Sequence, residues 1–203
     1  DMAVDFSKSQ TKENLMRAFA GESQARNRYT IAAEQAREEG LYAISNIFLF
    51  TAEQERAHAQ RYYELLGEMA GETIHIDGGY PVDIADKTET LLEMAGKNEF
   101  EEYDDVYPAF GNIAKEEGFY EAAGAFLQIA QIEKLHGERF REVAALLKSG
   151  EYFETPEEQK WMCLNCGHLH IGKQVPKVCP VCRHPQGFFI PVSLAPYCGN
   201  IIK

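Results

Sequence analysis

The sequence lacks any stretch of roughly 20 consecutive apolar residues, the length that spans a bilayer. Its start, DMAVDFSKSQ, lacks the basic segment and apolar run of a secretion signal. Basic side chains are also few, at 20 against 32 acidic ones, for a net charge of −12. Because such a field repels phosphate backbones and acidic membrane surfaces, we expect neither nucleic acid nor a membrane as a partner.

Cysteine is scarce, and its distribution is uneven. Four of the five cysteines fall between positions 163 and 182. This clustering fits a disulfide framework poorly and indicates a metal site in a reducing compartment, so we expect a cytoplasmic protein. With 203 residues, 45% of them hydrophobic, the chain can bury a sizeable core and form one or two domains.

Proline and glycine are rare within the periodic stretches of residues 11–147. This pattern predicts four helices, at roughly 11–39, 41–67, 87–116 and 119–148. Gly40 and Gly118 mark two short loops, and 71–86 is a long connection. Short loop, long crossover and short loop predict an all-α, ferritin-like four-helix bundle. Pro108 should kink or interrupt the third helix.

The composition changes after Lys148. We predict a helical domain over 1–148, a linker over 149–160 and a small β-rich domain over 161–203, which contains Cys, Pro and Gly in high proportion. A domain of about 45 residues needs a metal or a similar staple to fold.

An internal repeat relates the two halves of the helical domain. A shift of 78 residues lays 36–66 over 114–144. The residues that coincide include Glu55 with Glu133, His58 with His136, and Tyr29 with Tyr107. The repeat does not identify the acids of the third helix, because Glu22 falls on Phe100.

The motif Glu-x-x-His places two metal ligands one turn apart on a helix face. It occurs three times, as Glu55–His58, Glu133–His136 and Glu72–His75. Chance alone supplies about one such match, and we assign Glu72–His75 to chance because it lies in the crossover. The other two motifs occupy equivalent positions of the repeat, which favours a shared metal site.

A site with two metal ions needs further acids from the first and third helices. Glu22 is the candidate in the first helix, and Glu99 and Glu102 stand one turn apart in the third. Each alone could be a surface residue, but buried carboxylates are costly unless they are paired or bind metal. Glu101 remains an alternative, although it points about 100° away from Glu102.

These features together resemble the rubrerythrins over nearly the whole chain. The matching segments, in order, are FAGESQARNRY, SNIF before the first Glu-x-x-His, Glu-x-x-Glu followed by Tyr-Pro, AKEEGF, and the second Glu-x-x-His ahead of the cysteines. One difference is that Lys97–Asn98 follow Gly96, where the family has an acid. We therefore aligned the third helix on Tyr107–Pro108.

The resemblance implies a di-iron site whose ligands would be Glu22, Glu55, Glu99, Glu102, Glu133 and His136. Glu55 and Glu133 would bridge the two irons. His58 would exchange with Glu102 on one iron upon reduction, and Tyr29 and Tyr107 would orient ligand carboxylates.

The cysteines form two pairs, Cys163-x-x-Cys166-Gly and Cys179-Pro-x-Cys182, a strong indication of a four-thiolate metal site. Spacing alone favours zinc. The order of bundle and ribbon resembles rubrerythrins and instead implies one iron in a rubredoxin-like domain, with zinc possible at either site in an isolated protein. Cys198 lies outside the pattern.

The resemblance further implies a peroxidase that reduces hydrogen peroxide to water. An external reductase or a rubredoxin would supply electrons through the four-cysteine iron, in a homodimer or higher homo-oligomer. The alternatives are a ferritin-like protein that oxidises and stores iron, and a zinc-ribbon interaction module on a metal-free bundle.

Overall fold

The computed structural model of the chain describes residues 4–198, so the extreme ends of both expected domains, 1–3 and 199–203, lie outside it. The helices are α1 (Gln10–Glu38), α2 (Tyr42–Glu64), α3 (Thr88–Glu101), α4 (Tyr107–Glu116) and α5 (Tyr120–Ser149). A π segment, Glu102–Val106, joins α3 to α4. Among the described residues, no helix has both the length and the apolar character to cross a bilayer.

The helices pack as two antiparallel hairpins, α1 with α2 and α3–α4 with α5. Gly40 and Gly118 make the tight turns within the hairpins with φ values of 74° and 89°, which only glycine adopts without strain. Residues 71–86 cross from one hairpin to the other. This arrangement confirms the predicted ferritin-like order.

Two apolar clusters fill the ends of the bundle. One contains Tyr29, Phe48 and Phe140, and the other contains Leu15 and Phe126. Alanines dominate the buried face of α1, and their small side chains let α2 approach closely. The polar residues of the candidate site lie between the two clusters, at mid-height in the bundle.

The third helix is interrupted, as its proline predicted. Pro108 has no backbone N–H to continue the ladder of an α-helix, and the N–H of Tyr107 bonds five residues back to the carbonyl of Glu102. In a regular helix Glu99 and Tyr107 would point about 80° apart, whereas one inserted residue reduces this to about 20°. The π segment therefore lets both side chains face the interior, where each is 1% exposed.

The C-terminal part is a three-stranded antiparallel sheet in the order β2-β1-β3. Its strands are β1 (Glu154–Cys163), β2 (Leu169–Gln174) and β3 (Phe189–Pro191). Trp161 on β1 is fully buried against Val175 and Phe189. Together the helices and this sheet match the predicted combination of an all-α bundle and a small β-rich unit.

The predicted linker over 149–160 requires a correction, because β1 already begins at Glu154. The side chains of Glu157 and Glu158 are exposed on this strand, so their polarity hides it in the sequence. A register shift between Glu154 and Gln159 further weakens the alternating pattern.

The sheet unit contacts the bundle at the turn between α1 and α2. The ring of Tyr42 stacks on Phe188 with centroids 4.6 Å apart, and the Tyr152 hydroxyl donates to the carbonyl of Phe189 at 3.1 Å. Gly187 lies so close to Gly40 that a Cβ atom would overlap the Gly40 carbonyl oxygen. Only glycine therefore fits at position 187.

We expect Gly187→Ala to lower the free energy of unfolding by about 1–3 kcal/mol, because the added methyl group forces backbone apart. Gly124→Ala is the matched control. A Cβ atom there meets nothing within 4 Å, and alanine in a helix should stabilise by about 1 kcal/mol. Thermal unfolding of both variants provides the measurement, and equal Tm values would contradict the close approach.

Candidate metal centres

Acidic and imidazole side chains from α1, α2, α3 and α5 converge between the two apolar clusters. The buried members are Glu22 on α1, Glu55 and His58 on α2, Glu99 on α3, and Glu133 and His136 on α5. None of them is more than 7% exposed. Isolated charges are very costly at such depth, so the convergence requires compensation by protons or cations.

The first cluster surrounds Nδ1 of His58. This nitrogen lies 2.8 Å from Oε1 of Glu133, 3.2 Å from Oε2 of Glu55 and 3.8 Å from Oε1 of Glu22. One ligand atom from each of the four residues fits within a set whose members are at most 4.8 Å apart. The cluster has the size and the donor types of a site for one metal ion.

The second cluster surrounds Nδ1 of His136 in the same way. Oε1 of Glu55 lies 2.8 Å away, Oε2 of Glu133 lies 3.0 Å away and Oε2 of Glu99 lies 3.8 Å away. Glu55 thus directs one carboxylate oxygen to the first cluster and the other to the second, and Glu133 does the same. That is the geometry of two carboxylates that bridge a pair of metal ions.

The buried polar atoms test whether metal fits. Within residues 4–198, Oε1 of Glu55, Oε2 of Glu99, both oxygens of Glu133 and Nδ1 of His136 lack hydrogen-bond partners. Several of these atoms are within 3 Å of one another, yet their directions do not form hydrogen bonds. They belong to two sets of ligand atoms, each with members within 4.8 Å of one another, so the two Glu/His clusters fit a di-iron site.

Hydrogen bonds orient the outer carboxylates. The Tyr29 hydroxyl donates to Oε1 of Glu99, and the Tyr107 hydroxyl donates to Oε1 of Glu22. Both tyrosines are almost fully buried, and in both cases burial, with nearby carboxylates, raises the pKa of the phenol well above its usual value. The phenols therefore remain donors. This contact matches the expectation for both residues.

Gln54 is a residue that the sequence did not single out. Its Oε1 lies 2.8 Å from Nε2 of His136. Because the amide oxygen can only accept, Nε2 carries a proton and Nδ1 faces the cluster, where it would bind metal after losing its own proton. A glutamine beside Glu55 has no distinctive pattern, so nothing in the sequence could have identified it.

Glu102 is the one expected ligand that belongs to neither cluster. It lies half-buried in the π segment, and burial together with the charge of Glu22 raises the pKa of its carboxyl. His58 occupies the first cluster in this structure. The alternative residue, Glu101, is exposed and lies 3.9 Å from Nζ of Lys97. Glu72 and His75 are also exposed in the crossover.

Protons compensate the clusters before metal binds. Burial lowers the pKa of His136, but the carboxylates of Glu133, Glu55 and Glu99 outweigh burial and raise it to about 12. Burial and the charge of Glu55 raise the pKa of Glu22 to about 8. Metal ions must displace such protons, so the affinity for metal falls as the pH falls.

The four cysteines also meet in space, as their spacing predicted. The sulfurs of Cys163 and Cys182 are 3.7 Å apart, and those of Cys166 and Cys179 are 3.8 Å apart. All four ligand atoms lie within 4.8 Å of one another. Cys198 is buried and lies outside the set.

Two equivalent turns build this cysteine site. The N–H of Gly167 donates to the carbonyl of Cys163, and the N–H of Arg183 donates to the carbonyl of Cys179. Both turn residues have left-handed backbones, with φ values of 80° and 66°. Gly167 adopts this conformation without strain, whereas the second turn uses Arg183, a residue type that does not signal such a turn in the sequence.

Comparison with known proteins places these sites in a family. The family model for rubrerythrin matches residues 13–144, and the model for the rubredoxin-like domain of rubrerythrin matches 161–190. The chain belongs to the rubrerythrin family. The iron carried by this family fits the two Glu/His clusters and the four-cysteine set. Membership of the family also supports the conclusion that the chain is a di-iron protein with a peroxide-reducing role.

Individual relatives extend over most of the chain. Rubrerythrin-1 of Clostridium acetobutylicum is 46% identical over 89% of this chain and 93% of its own length. The rubrerythrin of Nitratidesulfovibrio vulgaris is 42% identical over 89% of this chain and 93% of its own length. A solved structure of partially reduced nigerythrin aligns with a TM-score of 0.61 at 30% identity, covering 91% of this chain and 90% of that one.

Gln54→Leu should weaken metal binding by about 10–100-fold, because it removes the acceptor that fixes the tautomer and ring orientation of His136. Competition between the protein and a chelator for Fe(II) measures the affinity. The control is Gln60→Leu, an exposed glutamine on the same helix that bonds to Arg56 and Glu64 and contacts neither cluster. Equal affinities of the two variants would show that Gln54 does not orient the ligand.

Proposed function

We propose that this chain is a non-haem di-iron peroxidase that reduces hydrogen peroxide to water with electrons relayed through its four-cysteine iron. The observation that carries this proposal is the division of the Glu55 and Glu133 oxygens between two clusters, in a chain that also assembles four thiolates. Membership of the rubrerythrin family supports the same class of oxidoreductase.

In this proposal the two clusters hold one iron each. Glu22 and His58 bind at one end, Glu99 and His136 at the other, and Glu55 with Glu133 between them. When bound, the iron pair supplies the two electrons that cleave the O–O bond. Tyr29 and Tyr107 keep Glu99 and Glu22 oriented, so that the ligands do not need to reorganise.

Glu102 has a separate role beside the pair. A cavity of about 180 Å³ lies between the crossover, α1 and the π segment, and Glu102, Tyr107 and Tyr80 contact it. The cavity gives the Glu102 side chain room to turn, and its wall includes Tyr107, whose hydroxyl contacts Glu22, so in this proposal peroxide would enter at that end. Because its pKa is raised, the Glu102 carboxyl favours the protonated form and can deliver a proton.

We propose that Glu102 and His58 alternate as ligands. A negatively charged carboxylate favours Fe(III), and a neutral imidazole suits Fe(II). In this exchange His58 would hold that iron when it is reduced and Glu102 would hold it when it is oxidised, and the place of His58 in its cluster supports the first of these roles. Glu99 remains at the other end in both states.

The cysteine site supplies single electrons. An external reductase or a rubredoxin is the proposed donor, a homodimer or higher homo-oligomer the proposed assembly, and the cytoplasm the proposed location, because free thiolates persist under reducing conditions. A ferritin-like storage role would leave this site unused. Zinc in the cysteine site, the other alternative, would leave it unable to carry electrons.

Glu55→Ala and Glu133→Ala should each reduce peroxide consumption by about 100-fold or more, because loss of a bridge displaces the reacting centre. Consumption is followed spectrophotometrically with the iron-loaded protein and an excess of reductase and NADH. Glu72→Ala is the matched control from the third Glu-x-x-His motif and should keep full activity. Equal losses in all three variants would contradict the assignment.

The same assay separates the alternatives with one further variant. Cys163→Ser should abolish the red colour of the oxidised protein and stop reductase-driven turnover. The chemically pre-reduced variant should still consume peroxide once. Colourless wild-type protein with stoichiometric zinc, prepared with ample iron, would refute the electron relay, and iron uptake without peroxide consumption would favour storage.

His58→Ala should retain both irons when oxidised but slow peroxide reduction by about tenfold, because the reduced state loses its imidazole ligand. Iron analysis and stopped-flow oxidation of the pre-reduced protein measure the two effects. Crystal structures of the wild-type protein in both redox states provide an independent check. An unchanged distance from His58 to the metal would refute the exchange with Glu102.

A further inference from the structure

Two groups of three aromatic rings flank the metal clusters, and the internal repeat relates them. The first group is Tyr29, Phe48 and Phe140, with ring centroids 5.1 to 6.2 Å apart. The second is Tyr107, Phe126 and Tyr62, with centroids 5.1 to 6.1 Å apart. The shift of 78 residues pairs Tyr29 with Tyr107, Phe48 with Phe126, and Phe140 with Tyr62.

The two groups have equivalent side chains and contacts except at one position. Tyr29 donates to Glu99 in the first group, and Tyr107 donates to Glu22 in the second. The remaining difference is one oxygen atom, because Tyr62 carries a hydroxyl where Phe140 has none. Both side chains are 0% exposed. Packing around the clusters therefore needs the ring and does not need the hydroxyl.

The hydroxyl of Tyr62 is unpartnered. Among residues 4–198 no group meets it with the geometry of a hydrogen bond, although it is fully buried, which raises its pKa, and the Tyr107 hydroxyl is close enough to lower that pKa in part. A buried hydroxyl without a partner destabilises a fold, and a phenylalanine of the same shape would remove that cost. Phe140 shows that this replacement is compatible with the packing. A molecule that enters from outside the chain would supply the missing partner.

The position of Tyr62 indicates where that molecule binds. Tyr62 follows His58 by one turn of α2, so both side chains lie on the same helix face. Its ring centroid lies 5.6 Å from that of Tyr107, whose hydroxyl contacts Glu22. Tyr62 therefore belongs to the end of the metal pair that His58 and Glu22 form, and its repeat partner Phe140 belongs to the other.

We propose that the Tyr62 hydroxyl donates a hydrogen bond to the oxygen ligand that enters from solvent, and so holds peroxide at the His58 end of the metal pair. This inference rests on the proposed function, because it assigns the substrate of that site to one end. At the equivalent position of the other end stands Phe140, whose ring offers no hydroxyl, so the two ends are chemically unequal despite their matching ligands.

The test uses azide, a small anion that mimics hydroperoxide, and the reduced iron-loaded protein. Tyr62→Phe should raise the Kd for azide by about tenfold, because a hydrogen bond to a charged partner is lost. Magnetic circular dichroism of the ferrous pair reports binding. The Tm of the iron-loaded variant without azide should be unchanged or higher, since an unpaired hydroxyl has been removed. A structural hydroxyl would give a lower Tm.

Two further variants sharpen the comparison. Tyr152→Phe removes a buried hydroxyl that bonds to the Phe189 carbonyl away from the clusters, and it should lower the Tm without changing the Kd for azide. Adding Phe140→Tyr to Tyr62→Phe moves the hydroxyl to the opposite end and should restore part of the affinity with an altered spectrum.

The outcomes are distinct. An unchanged Kd in Tyr62→Phe, a lower Tm without a change in Kd, or absence of azide binding to the wild-type protein would each overturn the role of Tyr62. Failure of the proposed function appears separately, as wild-type protein that binds azide in a Tyr62-dependent manner but does not consume peroxide.

Discussion

Four carboxylates and two imidazoles share a water-poor space at mid-height of the bundle, and the rest of the structure accommodates their mutual repulsion. Glu22, Glu55, Glu99 and Glu133 could not all be ionised there without positive charge between them. Two divalent cations match that charge, and protons take their place when metal is absent. Metal bound at the site would therefore stabilise the bundle by linking its helices.

The apolar clusters above and below the site follow from this constraint. Each ends in a tyrosine whose hydroxyl points inward to a carboxylate, so the packed rings also fix the charged groups. Because these hydrogen bonds fix Glu99 and Glu22, the two outer carboxylates have little freedom to move towards the centre of the site. Rigidity in the apolar core thereby preserves the separation between the two clusters.

Much of this arrangement could be predicted from the sequence. The helices follow from composition and periodicity, and the repeat distinguishes the two Glu-x-x-His motifs that meet in the bundle from Glu72–His75. The cysteine spacing alone predicts a four-thiolate set. These features are local, or recur at a fixed interval, and such patterns are visible without three-dimensional information.

Other features depend on contacts that the sequence does not display. The strand at Glu154 is concealed by exposed charges, and Gln54 acquires its role only because α5 brings His136 beside it. Glu102 could be identified as a candidate ligand, but not its place outside both clusters. The place of Glu102 depends on how the π segment packs between α3 and α4, which is a tertiary effect.

The π segment has a mechanical consequence. It gives the third helix one residue more than the spacing between Glu99 and Tyr107 requires. Those two residues are anchored in the core, while the surplus length between them is partly exposed to solvent. Movement within the segment therefore need not be transmitted to either neighbour. The helix therefore has two fixed positions, Glu99 and Tyr107, joined by a segment with spare length, and Glu102 lies at the start of that segment.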